Sequence, residues 1–347
     1  MADHRNETFE STGPAVLSTL LAQALIAYRI ELDNEFELQL SRSGFAGFKL
    51  PVEFWSLLRH VADDGTTVAV LLERTGRPQR ELFPAIGGVE RWGYVDVRLE
   101  PEGPIRLRRE NGYGSGRRLR PTSVLTPKPV CRRANELWPP IIAAQEGRWA
   151  ERFGPATMTD LGTTLAVVID APAESLADRL AAALQAFASE VEADSPVPMR
   201  IAANFLPALS AAPTPVRELP GLAGITGRPV LPALGALARA GLITIGPTKT
   251  GRGKVVALTP AGLAEQIAFA DRVGAVERVW RDRYGAAVIT SLRHALDALA
   301  PRLADGLHPP AGGWRATKEY AAQTQAILAD PRSALPRHPI GPWLTTS

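Results

Sequence analysis

WAERFGPATMTDLGTTL (Trp149–Leu165) and WRDRYGAAVITSLRHAL (Trp280–Leu296) are one element written twice. Trp149, Arg152, Phe153, Gly154, Ala156, Met158, Thr159, Leu161 and Leu165 recur as Trp280, Arg283, Tyr284, Gly285, Ala287, Ile289, Thr290, Leu292 and Leu296, every pair 131 positions apart. Upstream, Leu125-Thr126-Pro127 matches Leu258-Thr259-Pro260 at 133, and Thr75-Gly76-Arg77-Pro78 matches Thr226-Gly227-Arg228-Pro229 at 151. Leu21–Tyr28 resembles Leu180–Phe187 at 159. The offset falls steadily along the chain, as it would if the first copy carried longer loops. Two copies at a period of roughly 150 residues make a tandem domain and not a solenoid.

A chain of 347 residues has room for two domains, each with a core. Its 45% hydrophobic and 22% charged residues are those of a globular protein, which argues against disorder. The net charge of +3 is too small to demand nucleic acid, so its distribution matters more. Between Arg98 and Arg133 stand Arg98, Arg106, Arg108, Arg109, Arg117, Arg118, Arg120, Lys128, Arg132 and Arg133, against Glu100, Glu102 and Glu110. Glu31, Asp33, Glu35 and Glu37 form an acidic cluster, expected on a solvated surface because alternating positions cannot share one helical face. A single cysteine, Cys131, excludes an internal disulfide and any multi-cysteine zinc site. No apolar run nears the ~20 residues needed to span a bilayer, and the N-terminus lacks the apolar core of a signal peptide. A soluble, cytoplasmic and nucleoid-associated protein is expected, with no membrane partner.

Patterning predicts a mainly α fold with small β-wings. Pro14 opens a helix running to about Leu40, and Pro51 starts a second. Thr66 or Thr67 caps a third helix, and Thr75–Pro78 turns into a fourth that ends near Arg91. Tyr94, Val95, Val97 and Leu99 alternate as a strand. Arg117–Leu125 would return antiparallel after a Gly-rich tip at 111–116. Helix, Gly-containing turn, helix and β-hairpin make a winged helix. Thr126-Pro127 then starts a long helix to Phe153, with a kink expected at Pro139-Pro140. The second copy reads the same way, with Val216–Ala223 and Pro229–Ala240 as its turn helices. Expected boundaries are 14–170 for the first domain (wing about 94–125) and 171–300 for the second (wing about 242–258). A Pro/Arg/Gly-rich tail over 301–347 either wraps over the body or is mobile.

This order of elements resembles the MarR family of bacterial regulators. The most specific points are Leu125-Thr126-Pro127 and Leu258-Thr259-Pro260-Ala261-Gly262, where a MarR-like wing passes into its long helix. Ile30–Glu37 and Gly313-Trp314-Arg315-Ala316 are similar to a subgroup of actinobacterial proteins with two such units in one chain. The resemblance covers about residues 14–300. It implies two tandem MarR-like winged-helix domains that form an intramolecular pseudo-dimer on duplex DNA. It also leaves open a small-molecule effector and higher oligomers.

Winged helices lay the second helix of the turn in the major groove while the wing reaches backbone or minor groove. The candidate DNA-binding residues of the first copy are Arg77, Gln79, Arg80 and Arg91 at the recognition helix, and Arg117, Arg118 and Arg120 on the wing. In the second copy they are Arg228 and Arg239, with Lys249, Arg252 and Lys254 on the wing. Its recognition helix offers almost no side chain able to read a base, so this lobe would hold the backbone or bind protein. Catalysis finds little support: the five histidines are scattered without metal-ligand spacing, and no nucleophile motif or phosphate loop stands in a suitable setting. No metal and no cofactor are expected. Cys131, beside Arg132 and Arg133, reads as a packed thiol before a redox sensor. A DNA-binding transcriptional regulator is the leading expectation, and a tandem winged-helix protein–protein adaptor the competing one.

Overall fold

From Leu17 to Tyr28 nearly every residue is apolar, and a helix apolar on all sides belongs in the interior. The computed structural model describes residues 15–75, 79–99, 119–169, 173, 175–248, 251, 253–308 and 318–340. In it this stretch begins α1 (Leu17–Arg42), with Leu17, Leu21, Leu25, Tyr28, Leu32 and Phe36 all buried. The helix starts after Val16 and not at Pro14, which lies outside the described residues. The first half continues with α2 (Val52–Leu58), β1 (Thr66–Thr67), α3 (Val68–Thr75), α4 (Gln79–Arg91), β2 (Val95–Arg98), β3 (Val124–Pro127), α5 (Pro129–Phe153) and α6 (Pro155–Val168). The second comprises α7 (Leu176–Glu192), α8 (Met199–Phe205), β4 (Thr214–Pro215), a 3-10 turn at Val216–Glu218 leading into α9 (Leu219–Leu222), α10 (Val230–Arg239), β5 (Ile243–Pro247), β6 (Lys254–Leu258), α11 (Pro260–Tyr284) and α12 (Ala286–Leu299). The molecule is mainly helical with two small antiparallel sheets, ordered β1-β3-β2 and β4-β6-β5.

Two short strands escaped the sequence because two residues show no periodicity. Thr67 does cap α3, its hydroxyl accepting from Val70 N at 3.3 Å, but Thr66 and Thr67 also pair with Leu125 and Val124. The returning strand is Val124–Pro127, and residues 119–123 of the expected Arg117–Leu125 strand are not part of it, Arg117 and Arg118 lying outside the described residues. Residues 120–123 instead form a turn whose Pro121 and Ser123 carbonyls accept from Ala69 N and Val68 N.

Pairing also corrects the register of the repeat. Val95 pairs with Pro127 and Ile243 with Leu258, so Pro127 corresponds to Leu258 and Pro129 to Pro260. The 131 offset therefore begins at β3, and the Leu-Thr-Pro match at 133 is out of register by two. Pro127 ends a strand; Pro129 and Pro260 are the helix-opening prolines. Likewise Leu82, Ile86 and Val89, buried on α4, correspond to Val230, Leu234 and Leu237 on α10 at 148. Thr66/Thr214 and the positive-φ pair Gly93/Gly241 share that 148. The Thr-Gly-Arg-Pro match at 151 thus also misleads, and Arg80 falls opposite Arg228. The offset falls from 159 to 147 between α1 and α2, stands at 148 from Thr66 to Gly93, and falls to 131 inside the first hairpin, rather than steadily. α5 and α11 are both 25 residues long, α6 and α12 both 14. α5 runs unbroken through Pro139 and Pro140.

Two members of the acidic cluster, Glu31 and Asp33, are buried rather than solvated, while Glu35 and Glu37 are half-buried. Glu31 is buried and takes the Trp149 indole N–H at 3.3 Å, the Gln145 amide at 2.5 Å, and Arg152 through both guanidinium nitrogens at 2.7 and 3.0 Å. Glu190, its counterpart, takes Trp280 at 3.0 Å and Arg283 at 2.6 and 3.4 Å. Asp33 accepts from Val52 N at 2.6 Å, and Glu192 from Met199 N at 2.6 Å, so each first helix caps the second. The repeated Trp, Arg and Gly thus mark a joint: the tryptophan packs edge-on against Tyr28 or Phe187, and the arginine forks onto the carboxylate. Gly154 and Gly285 then turn the chain at φ 91° and 92°.

The halves meet through like elements, α6 on α12 and α1 on α7. Leu161, Leu165 and Val168 are buried in this seam with Leu292, Leu296 and Leu299, each contributing about 1.5–3 kcal/mol by burial. Beyond α12 the tail is folded: a 3-10 segment Ala300–Gly306, α13 (Lys318–Ala329) and α14 (Pro331–Ala334). Its ties reach both halves, Gln23 Nε2 donating to Arg332 O at 2.9 Å and Asn204 Nδ2 to His338 O at 2.9 Å. The tail motif Gly313–Ala316 lies outside the described residues. Among the described residues no helix is long and apolar enough to cross a membrane.

Candidate nucleic-acid interface

Each half presents two short helices backed by a three-stranded sheet, and the second of those helices is the part that could enter a groove. On α4 the core face is Leu82, Ile86 and Val89. Helical spacing places the positions of Arg80, Pro84 and Arg91 on the opposite face. Gln79 begins the helix and is exposed; Arg80 lies in the same first turn. Arg77, Arg117 and Arg118 lie outside the described residues, as does the 111–116 tip.

Two first-half candidates are placed unfavourably. Arg91 sits in the last turn of α4, its guanidinium 6.0 Å from the Trp92 ring centroid, whereas base edges are met by a recognition helix's N-terminal residues. Arg120 precedes β3 in the turn that holds α3, its amide donating to Ser123 Oγ at 3.0 Å. The one-sided charge of the Arg98–Arg133 segment is also partly offset. Lys128 pairs with Asp96 at 2.9 Å, Arg132 with Asp63 at 3.3 Å and Arg133 with Glu136 at 2.9 Å. Cys131 is buried beneath the hairpin, and burial pushes its thiol up to about 12 despite Arg132. Its counterpart in the second half is Gly262, where a Cβ would collide with Leu242 O. The second half has no room for a side chain there, whereas the first half holds the thiol fully buried, so the cysteine is a packing residue.

In the second half α10 buries Val230, Ala233, Leu234 and Leu237 and exposes Leu231 and Pro232. Arg228 is exposed in the preceding turn, and Arg239 in the last turn of α10. Lys254 is exposed at the start of β6, while Lys249 and Arg252 lie outside the described residues. The tail clasps this turn: Glu319 accepts from Gly227 N at 2.5 Å and Gln323 donates to Gly224 O at 2.9 Å. Gly224 has φ 64°, and a Cβ there would meet Ala334 O at 2.6 Å. Wrapping of the tail over the body was one of the two expectations for it, but these partners were not legible, because they lie about 100 positions apart and Glu319 and Gln323 belong to no motif.

A pocket between α1 and the tail, lined by Ile26, Ile30, Tyr320 and Ile327, encloses about 20 Å³, room for one water and not for an effector. Compared with known proteins, the chain matches no family model, no curated protein and no solved structure.

Proposed function

We propose that the chain is a DNA-binding transcriptional regulator in which two MarR-like winged-helix units form a dimer inside one polypeptide. One observation supports this above the rest. The order helix, helix, strand, two short helices, hairpin, long helix, helix occurs twice with the same strand order, and the copies meet through like elements. Contact between equivalent surfaces is what a twofold axis generates, and twofold dimers suit duplex DNA.

In this reading α4 is the recognition helix. Gln79 and Arg80 read bases from its first turn, Arg77 stands beside them, and Arg117 and Arg118 reach phosphates from the wing. Arg228, Lys249, Arg252 and Lys254 hold the backbone in the second lobe. Arg91, Arg120 and Arg239 are left out of the base-reading set on the geometry above. The protein would act at the nucleoid. A mobility-shift titration against genomic fragments at two salt concentrations tests the reading, because phosphate contacts make affinity fall steeply with salt. Absence of any retarded species at low salt would sink it.

A protein–protein adaptor is the second reading, and the apolar outer face of α10, with Leu231 and Pro232 exposed, favours it locally.

A further inference from the structure

We propose that the groove between α8 and α10 is a docking site for an acidic peptide segment of a partner protein, anchored by an aromatic side chain. In the first half the corner between α2 and α4 is filled by its own aromatics: Trp92 stacks on Phe48 at 4.5 Å and meets Phe54 edge-on at 5.3 Å. At the corresponding positions the second half has Ala240 for Trp92 and Ile201 for Phe54, and its shorter loop before α8, residues 193–198, carries no aromatic residue in place of Phe48. Three rings are gone, and an open groove of about 670 Å³ runs along α10 in their place. It exists because this half lacks the plug that the other half carries, so the missing volume is aromatic.

The lining says what accompanies the anchor. Val197, Ile201, Ala233 and Ala236 make an apolar floor with Ile340 of the tail at its edge, and the charged residues along the lining are Arg200 and Arg239. Neither arginine pairs with a carboxylate among the described residues. Nucleic acid suits the groove poorly. Four lining residues, Pro196, Pro198, Pro229 and Pro232, have no N–H with which to cradle a phosphate. Among the described residues no aromatic ring lines it on which a base could stack. The α10 stripe from Pro229 to Ala240 spans roughly 16 Å, matching about five extended residues or three helical turns. Small alanines along that stripe allow close backbone approach, as when an amphipathic helix lies in a groove. The inference does not rest on DNA binding, since the groove is the same whether or not α4 enters a duplex.

The test is a selection of random 12-residue peptides, displayed on phage, against the full chain. Synthetic copies of the enriched sequences are then titrated by fluorescence anisotropy. Enriched peptides should share one Trp or Phe flanked by Asp or Glu. Exchanging those acids for amides should weaken binding more than tenfold. Ala240→Trp, which restores the plug of the first half, should abolish binding. Arg239→Glu, at an exposed position, should weaken it more than tenfold without moving the thermal midpoint, which separates groove loss from misfolding. Enrichment without acidic residues, or binding untouched by both variants, would overturn the proposal. Duplex binding lost on Arg200→Glu with no peptide selected would assign the groove to nucleic acid instead. Peptide binding seen only in a chain ending at Ile340 would assign it to residues 341–347 and also overturn it.

Discussion

Glu31 and Glu190 stand 159 positions apart, and each accepts the indole N–H of one tryptophan and the fork of one arginine. Their surroundings differ. Arg152 and Glu31 are 12% and 5% exposed, whereas Arg283 and Glu190 are 47% and 28% exposed. Gly306 of the tail presses on the first pair, where any Cβ would overlap Arg152 and Glu31.

The same substitution should therefore have unequal effects. Glu31→Gln leaves the Arg152 cation buried without its counter-ion, and we expect a loss of about 3–5 kcal/mol in denaturant unfolding. Glu190→Gln, at a site where water can replace the missing partner, should move the midpoint only slightly. Equal losses would mean that the tail does not shield the first pair.

Gly154 and Gly285 adopt the same left-handed φ with no neighbour crowding the place of a Cβ. Alanine at either site should cost about 1–3 kcal/mol through backbone strain alone. Chemical denaturation of the two single variants measures it, and unchanged stability would contradict the turn geometry.

His338 is buried, with its Nδ1 facing Pro339 O at 3.1 Å, and burial holds its pKa down to about 4. The packed ring is neutral, but once released it binds a proton near pH 6.5. Its folded value lies below its unfolded one, so its contribution is complete above about pH 6.5 and is lost as pH falls toward 4. The loss over that window is about 3 kcal/mol. Unfolding midpoints at pH 7 and pH 5 should differ less in His338→Leu than in the parent chain.

Within the DNA-binding proposal, alanine at Gln79 and Arg80 should relax sequence preference by about 1–3 kcal/mol for each base edge no longer read. Charge reversal at Arg117 and Arg118 should weaken all duplexes alike and flatten the salt dependence by roughly 0.9 log units for each phosphate released. Selection from random duplexes, paired with salt titration, reads both. A consensus with two equally constrained half-sites would show that the α10 lobe reads bases as well.

The repeat and the helical order were legible in the sequence because Trp149, Arg152, Gly154 and their copies must recur wherever the joint recurs. What those residues serve was not legible. The carboxylates they hold lie at least 90 positions away and look like a surface cluster when read locally. Register was misjudged where a tripeptide or tetrapeptide identity competed with burial. Leu82, Ile86 and Val89 settle it because only one alignment keeps them facing the core. Of the candidate site, Gln79 stands exposed at a helix start, as a base reader requires. Arg91 was named for its place at the recognition helix and Arg120 for its place on the wing; the sequence pattern did not say that Arg91 closes the last turn of α4 or that Arg120 lies in the turn before β3.

The α6–α12 seam joins two parts of one polypeptide, which removes a variable that governs ordinary dimers. Two separate subunits come apart on dilution, and their melting temperature follows protomer concentration. Here the partner surface is always present at the effective concentration set by the connecting chain, so the paired form persists at a single copy per cell. A covalent pair also escapes the obligation to change both faces of its interface together, since a substitution in one half is not copied into the other. Trp92 in one half and Ala240 at the matching place in the other are one product of that freedom.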